Sequence, residues 1–195
     1  MRTCGTYNLA PGSVVNLLVL MYEIGENMKN MTFDLYWGYP VTGQDHLDGT
    51  AMAFSNNGTQ EAFVDYSHRS SAGYFSHSGD LMDSVKQVGH HIIKVSLDQI
   101  PQSVTRVYFV LSAYNSPTIA AYPNPSVKLF EDSKPNHNLA DYSITSVKQS
   151  QAVVMCCLMR GSKWRVVIVG RGCSGNAKNY APIISEIHSS FNQFA

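Results

Sequence analysis

The chain has 195 residues, 44% of them hydrophobic and only 14% charged, where an average soluble domain carries roughly 25% charged residues. That length suits one domain with a real core, and fourteen basic residues balanced by fourteen acidic ones leave no net field to gather phosphate backbones, which argues against a nucleic-acid binder. A low-charge surface with eleven tyrosines fits a chain that works against protein partners or against further copies of itself.

Near the amino end, "VVNLLVLMYEI" imitates the apolar centre of a signal peptide, but Asn16 interrupts it, Glu23 ends it and no small-x-small cleavage site follows. No run reaches the ~18–20 apolar residues that cross a bilayer. The expectation is a cytoplasmic chain with no membrane span. Next, "TAMAFS" and "QEAFVDYS" flank Asn56-Asn57-Gly58, a hairpin signal because Asn-Gly tolerates positive φ. Val95 and Leu97 of "IIKVSL" share a face. In "RVYFVLSAY", Val107, Phe109, Leu111 and Ala113 alternate with Tyr108, Val110, Ser112 and Tyr114, which predicts half-buried antiparallel strands.

"NSPTIAAYPNPSV" is too rich in proline for a strand interior and reads as a long surface connection. "AVVMCCLM", Ala152 to Met159, is apolar on both faces and reads as a central strand. Cys156 and Cys157 would point to opposite faces of it and could form no ordinary bridge; with no CxxC pair for zinc or redox work, reduced thiols are expected. In "KWRVVIVGRG", Trp164, Val166 and Ile168 share one face and Arg165, Val167 and Val169 the other. Only the end is helical: Ile183, Ile184, Ile187 and Phe191 fall on one side of a helix over roughly 180–193, with Pro182 in its first turn. Strand-like runs about every 10–15 residues, parted by Gly, Pro, Asn and Ser, predict a single all-β domain, an antiparallel β-sandwich with a C-terminal α-helix.

Enzyme signatures are missing: the sequence has no GxSxG, P-loop or HExxH, and "VGRGCSG" lacks the spacing and following helix of a dinucleotide site. Cys173 in "GCSG" reads as part of a turn, so no catalytic residue is expected. The polar stretch "HSGDLMDSVKQVGHH", His77 to His91, reads by itself either as a metal site built from Asp and His or as a solvated loop edge. His77, His90 and His91 with Asp80 give a nitrogen and oxygen set suited to zinc, although adjacent histidines on a strand face opposite ways and at most one easily joins Asp80.

The order of segments is informative. "LAPGSVVNLLV", "MTFDLYWGY", "DHLDGTAMAFSNNG", "HSGD", "IIKVSLDQIPQSVTRVYFVLSAY", "LADYSI" and the closing "LMRGSKWRVVIVGRG" resemble, over roughly residues 9–175, the TerD family of tellurium-resistance and stress-response proteins. The resemblance implies a β-sandwich that binds calcium through acidic loops and has no established enzymatic activity. The last aspartate of the family's Asp-Leu-Asp segment falls on Asp48, and the one two residues earlier on His46. In the acidic loop Gly79 and Asp80 are kept, Asn becomes Leu81 and Thr becomes Asp83. The acidic centre becomes "SVKQV", and the closing Asp-Asp-Glu becomes Gly89, His90 and His91. The resemblance therefore implies a thinned calcium site, Asp48 and Asp80 helped by Asp45 and Asp83, in a stress-response protein acting through partners. The alternative is a scaffold subunit that has discarded the metal. Arg171 stands where the family usually has Gln and is open to an anion or a partner.

Overall fold

A computed structural model of the chain describes residues 20–24, 29–139 and 147–191. The opening segment "LAPGSVVNLLV", Cys4, Asn16, Glu26 and the 140–144 part of "LADYSI" lie outside the described residues. Among the described residues, twelve strands form two antiparallel sheets. The first sheet runs β1 (Leu20–Glu23), β12 (Trp164–Cys173), β11 (Ala152–Arg160), β9 (Val104–Ala113), β3 (Leu47–Ser55) and β4 (Gln60–Val64). The second runs β10 (Ser126–Glu131), β2 (Asn30–Gly38), β8 (Val88–Ser96), β6 (Phe75–His77) and β5 (Ser70–Ser71), with β7 (Leu81–Asp83) paired to the start of β8. One helix, α1 (Ala181–Phe191), follows β12. No helix among the described residues is long and apolar enough to cross a membrane.

The period-two pattern decides which side chains meet. Between the sheets, Met31, Phe33, Leu35, Trp37 and Ile93 pack on Leu47, Ala51, Val107, Phe109 and Leu111, and Phe33 stacks on Phe109 with ring centroids 4.8 Å apart. The alternate residues Met52, Phe54, Tyr108, Val110 and Val167 form a second cluster closed by Ile183 and Ile187 of α1. β9 is thus buried on both faces, not half-buried as its alternation predicts, because α1 covers the outer side, and β11 is the central strand that its two apolar faces predict. β11 shows the same division: Cys156 lies between the sheets and Cys157 under the helix. Both are free thiols, and burial pushes Cys156 up to about 12.

Three local expectations change. Leu97 leaves β8 and begins a short 3₁₀ turn, Leu97–Gln99. In the β3–β4 hairpin Gly58 has φ +85° while neither asparagine has positive φ; Ser55 N–H donates to Thr59 O at 2.9 Å, so the turn is the longer kind in which glycine alone takes the left-handed position. The proline-rich connection is not all surface, since Ile119 and Tyr122 are buried in and after a second 3₁₀ turn, Ile119–Ala121.

One glycine is required by a close approach. Trp37, wholly buried, lies across β8 at Gly89, its cross-strand partner; a Cβ there would come within 2.2 Å of the indole. The same indole packs edge-on against His91 at 4.9 Å and donates its N–H to Asp45 O at 3.1 Å. Gly89→Ala is therefore expected to act as overpacking, lowering the urea midpoint by the equivalent of about 1–3 kcal/mol with an unchanged slope. An unchanged midpoint in urea denaturation would contradict this packing.

Candidate functional site

Asp48 is the second residue of β3, on the face of Thr50, Met52 and Phe54, the last two of which lie in the cluster under α1. It is only 1% exposed, and neither of its carboxylate oxygens has a hydrogen-bond partner among the described residues. Its cross-strand neighbour on β9 is Ser112, whose buried hydroxyl is equally unpartnered. Asp80 sits in the link between β6 and β7, and His91 in β8. Asp48, Asp80 and His91 each place one ligand-type atom within 4.8 Å of the others, the one group of three such residues among those described. Asp80 also lines a surface depression of about 520 Å³ shared with Tyr36, Leu81, Asp83 and His90, so the cluster reaches solvent on that side.

The two carboxyls are in opposite electrostatic situations. Burial raises Asp48, and the negative charges of Asp80, Asp65 and Asp45 raise it further, to about 8, with Lys178 pulling weakly the other way. Asp80 is held below the ordinary range, first by the hydrogen bond from His91, against some burial. That bond runs from His91 Nε2 to Asp80 Oδ1 at 2.7 Å, and His46 Nδ1 lies 3.5 Å from the same oxygen. Neither contact uses Asp80 Oδ2. Burial depresses the pKa of His91, and it depresses that of His77 to about 4, so both of these imidazoles are neutral.

The other candidate ligands lie elsewhere. Burial works against the charge of Asp45, but hydrogen bonds from Tyr122, the His46 amide, Ser116 and Asn115 outweigh it and hold its pKa down; their lengths run from 2.8 to 3.0 Å. Both Asp45 oxygens are thereby occupied. Asp83 is on the surface, where its Oδ1 caps the β7–β8 turn by accepting from Val85 N and Lys86 N. So the structure brings Asp48 and Asp80 together and leaves Asp45 and Asp83 out of the cluster. Of the adjacent histidines only His91 reaches Asp80, as strand alternation requires; His90 lies on the opposite face and pairs with Asp34.

Several contributors escape a reading by residue type. Ser112 and Gly49 carry no metal signature. Gly49 in "HLDGTAM" looks like a turn residue, although a glycine inside a strand pattern signals close approach by another group. Asp65 accepts from Ser67 and His68 and takes the Tyr180 hydroxyl at 2.9 Å, while that hydroxyl also meets Thr50 at 3.2 Å. Nothing in the spacing of Asp65, Thr50 and Tyr180 relates them.

Arg171 pairs with Glu186 of α1. Arg160 lies 4.3 Å over the Trp164 ring and donates to the carbonyls of Val104 and Ile100. Burial pushes the Cys173 thiol up to about 11, which keeps it protonated and poorly nucleophilic.

With this geometry in view, the likeness to known proteins has a place to fall. A family model described as the TerD domain matches residues 7–182. The tellurium resistance protein TerD of Serratia marcescens is 24% identical over 169 residues, 80% of this chain and 88% of that protein; TerD of an Alcaligenes species matches at the same identity and coverage. The crystal structure of a homologue of the telluride resistance protein TerD from Streptomyces coelicolor A3(2) superposes with a TM-score of 0.65 at 20% identity, over 80% of this chain and 96% of that one. A second crystal structure, of a protein of unknown function, gives 0.67 at 17% identity, over 82% and 98%. The two structures share the sandwich, and the family model spans nearly the whole sequence. The chain belongs to the TerD family.

Proposed function

We propose that this chain is a non-enzymatic TerD protein of the tellurium-resistance type that binds one divalent cation, calcium, at Asp48 and Asp80, and acts through protein partners. The observation that carries the reading is the Asp48 carboxyl, buried with both oxygens lacking a donor among the described residues. An ionised carboxylate in that position is costly. Two things relieve it: a proton or a cation. The neighbouring Asp80, kept ionised by His91, makes a cation the more effective, since one divalent ion answers both carboxylates. The donor set suits a hard ion: two oxygens from Asp48, Oδ2 of Asp80, the unpartnered hydroxyl of Ser112, and water from the adjoining depression. Two carboxylates are few for calcium, and affinities of roughly 10⁻⁴–10⁻³ M go with such low ligand charge. Asp45 and Asp83, whose oxygens are committed elsewhere, are left out of the proposed site. The relatives named as tellurium resistance proteins support the family-level role, and the protonated Cys173 supports a non-enzymatic chain.

A second reading, a scaffold subunit that has lost its metal, is favoured by one observation. Four exposed large hydrophobic residues, Tyr36, Val41, Leu81 and Val85, gather at one end of the second sheet. His90 pairs in register with both Tyr36 and Leu81, and Tyr39 N–H donates to Gln87 O at 2.9 Å, which ties together the loops bearing Val41 and Val85.

Calcium at several times its dissociation constant is expected to raise the melting temperature of the wild-type chain, because an ion that binds only the folded state stabilises it by mass action; Asp48→Asn is expected to abolish the rise. No rise in the wild type, or an equal one in the variant, would sink the site. Light scattering separates the two readings: an oligomer indifferent to chelator favours the scaffold.

The Asp48 carboxyl also predicts a pH dependence. In the unfolded chain it ionises near ~4, but in the folded chain it keeps its proton up to about 8. Between those values the folded state holds the extra proton, so without cation stability falls as pH rises, by up to about 1.4 kcal/mol per unit. Asp48→Asn removes this contribution. Denaturation in chelator from about pH 5 to about pH 8 should show the wild type losing stability relative to the variant; parallel curves would contradict the assignment. Calcium displaces the same proton, so its affinity should strengthen as pH rises toward 8.

A further inference from the structure

Two buried histidines meet the backbone groups of one residue of β3. The last register pair joining β3 to β4 is Ala51 with Val64, so β4 has left the sheet before Gly49, whose backbone groups on that side need other partners. His77 and His91 supply them. Gly49 O is 3.1 Å from His77 Nε2, and Gly49 N–H donates to His91 Nδ1 at 3.2 Å. The two imidazoles pack edge-on with centroids 4.7 Å apart. The far nitrogens return to the acidic loop: Gly79 N–H donates to His77 Nδ1 at 2.8 Å, and His91 Nε2 meets Asp80 Oδ1 at 2.7 Å.

Every direction in this chain of bonds is fixed. A backbone N–H can only donate, so both Nδ1 atoms are acceptors and both protons sit on Nε2. His77 Nε2–H then donates to the Gly49 carbonyl, and His91 Nε2–H to Asp80. The loop is shaped for it: Gly79 has φ +71° and an arginine guanidinium where a Cβ would stand, so only glycine turns its N–H toward His77. Hydrogen bonds thus link Gly79 through His77, Gly49 and His91 back to Asp80, the residue next to the start.

This bears on what His91 does beside Asp48 and Asp80. Its Nε2 meets Asp80 Oδ1 at 2.7 Å and one of its ring nitrogens lies within 4.8 Å of an oxygen of each aspartate, and a histidine with two carboxylates suggests zinc. A ligating nitrogen must present a lone pair, however, and the Nε2 lone pair is absent in this tautomer. Moving the proton to Nδ1 would set it against the Gly49 N–H, leaving a buried donor unpaired in mid-strand. We propose that His77 and His91 are positioning residues, locked as hydrogen-bond donors and never ligands, which seat the Asp80 carboxylate beside Asp48 and leave an all-oxygen site that rejects zinc. The choice of ion rests on the cation site proposed above; the histidine clamp does not.

The clamp is read directly by long-range ¹H–¹⁵N spectra of the full chain labelled at histidine. His77 and His91 are expected as neutral Nε2–H tautomers, unchanged by calcium and by one equivalent of zinc. A shift of His91 to the Nδ1–H form with a zinc-bound Nε2 would overturn the proposal, as would an Nδ1–H tautomer at either residue without metal. His91→Gln, which keeps an N–H donor for Asp80, is expected to hold calcium within a few-fold of wild type, whereas His91→Ala weakens it by about 10–100-fold, the usual loss when the partner of a ligand is removed. Equal calcium affinity in wild type and His91→Ala, with both folded, would also count against it. Should wild type bind no calcium while both residues show the Nε2–H form, the cation reading fails and the clamp stands.

Discussion

A carboxyl group with no donor to either oxygen among the described residues, 1% exposed on the second residue of β3, is the constraint on which this end of the sandwich depends. No hydrogen bond among the described residues relieves it, although Asp45 and Asp65 nearby are fully bonded. Asp45 takes four hydrogen bonds and Asp65 is capped by its own turn and by Tyr180. Asp80 is satisfied from one side only, by His91. The contrast between carboxyls of equal intrinsic acidity comes from their surroundings alone, and it singles out the pair that has something left to bind.

The fold supplies that arrangement through departures from regular pairing. β4 leaves β3 early, so the backbone groups of Gly49 are open to side chains from the second sheet. Gly89 lets Trp37 lie flat across β8, and the indole in turn supports His91 at 4.9 Å and the Asp45 carbonyl at 3.1 Å. The helix α1 closes the outer face of the first sheet, while Tyr180, just before it, reaches Thr50 and Asp65 near Asp48. Core packing and site geometry are therefore not separable here; a change at Gly89 reaches the acid cluster through one ring.

Much of this is legible in the sequence. The alternation in "RVYFVLSAY" assigns its side chains to two faces, and the structure divides Val107, Phe109 and Leu111 from Tyr108 and Val110 accordingly. What alternation cannot give is how wet each face is, because that depends on where a distant helix docks. The opposite orientation of His90 and His91 also follows from strand geometry. Asp45 and Asp83 look like ligands because residue type is all that a sequence offers; their oxygens are taken by Asn115, Ser116 and Tyr122 in one case and by a local turn in the other. The role of Gly49 is invisible for a related reason: the absence of a side chain leaves no chemical signature, and its partners come from 28 and 42 residues away.

The central claim, a divalent cation between Asp48 and Asp80, is tested most directly by terbium luminescence excited through the chain's own aromatic residues, since Trp37 packs against His91 at the edge of the site. Terbium shares calcium's preference for hard oxygen ligands. The account predicts sensitised emission that calcium displaces and that Asp48→Asn removes. Emission that survives Asp48→Asn, or none from a folded wild-type chain, would contradict it.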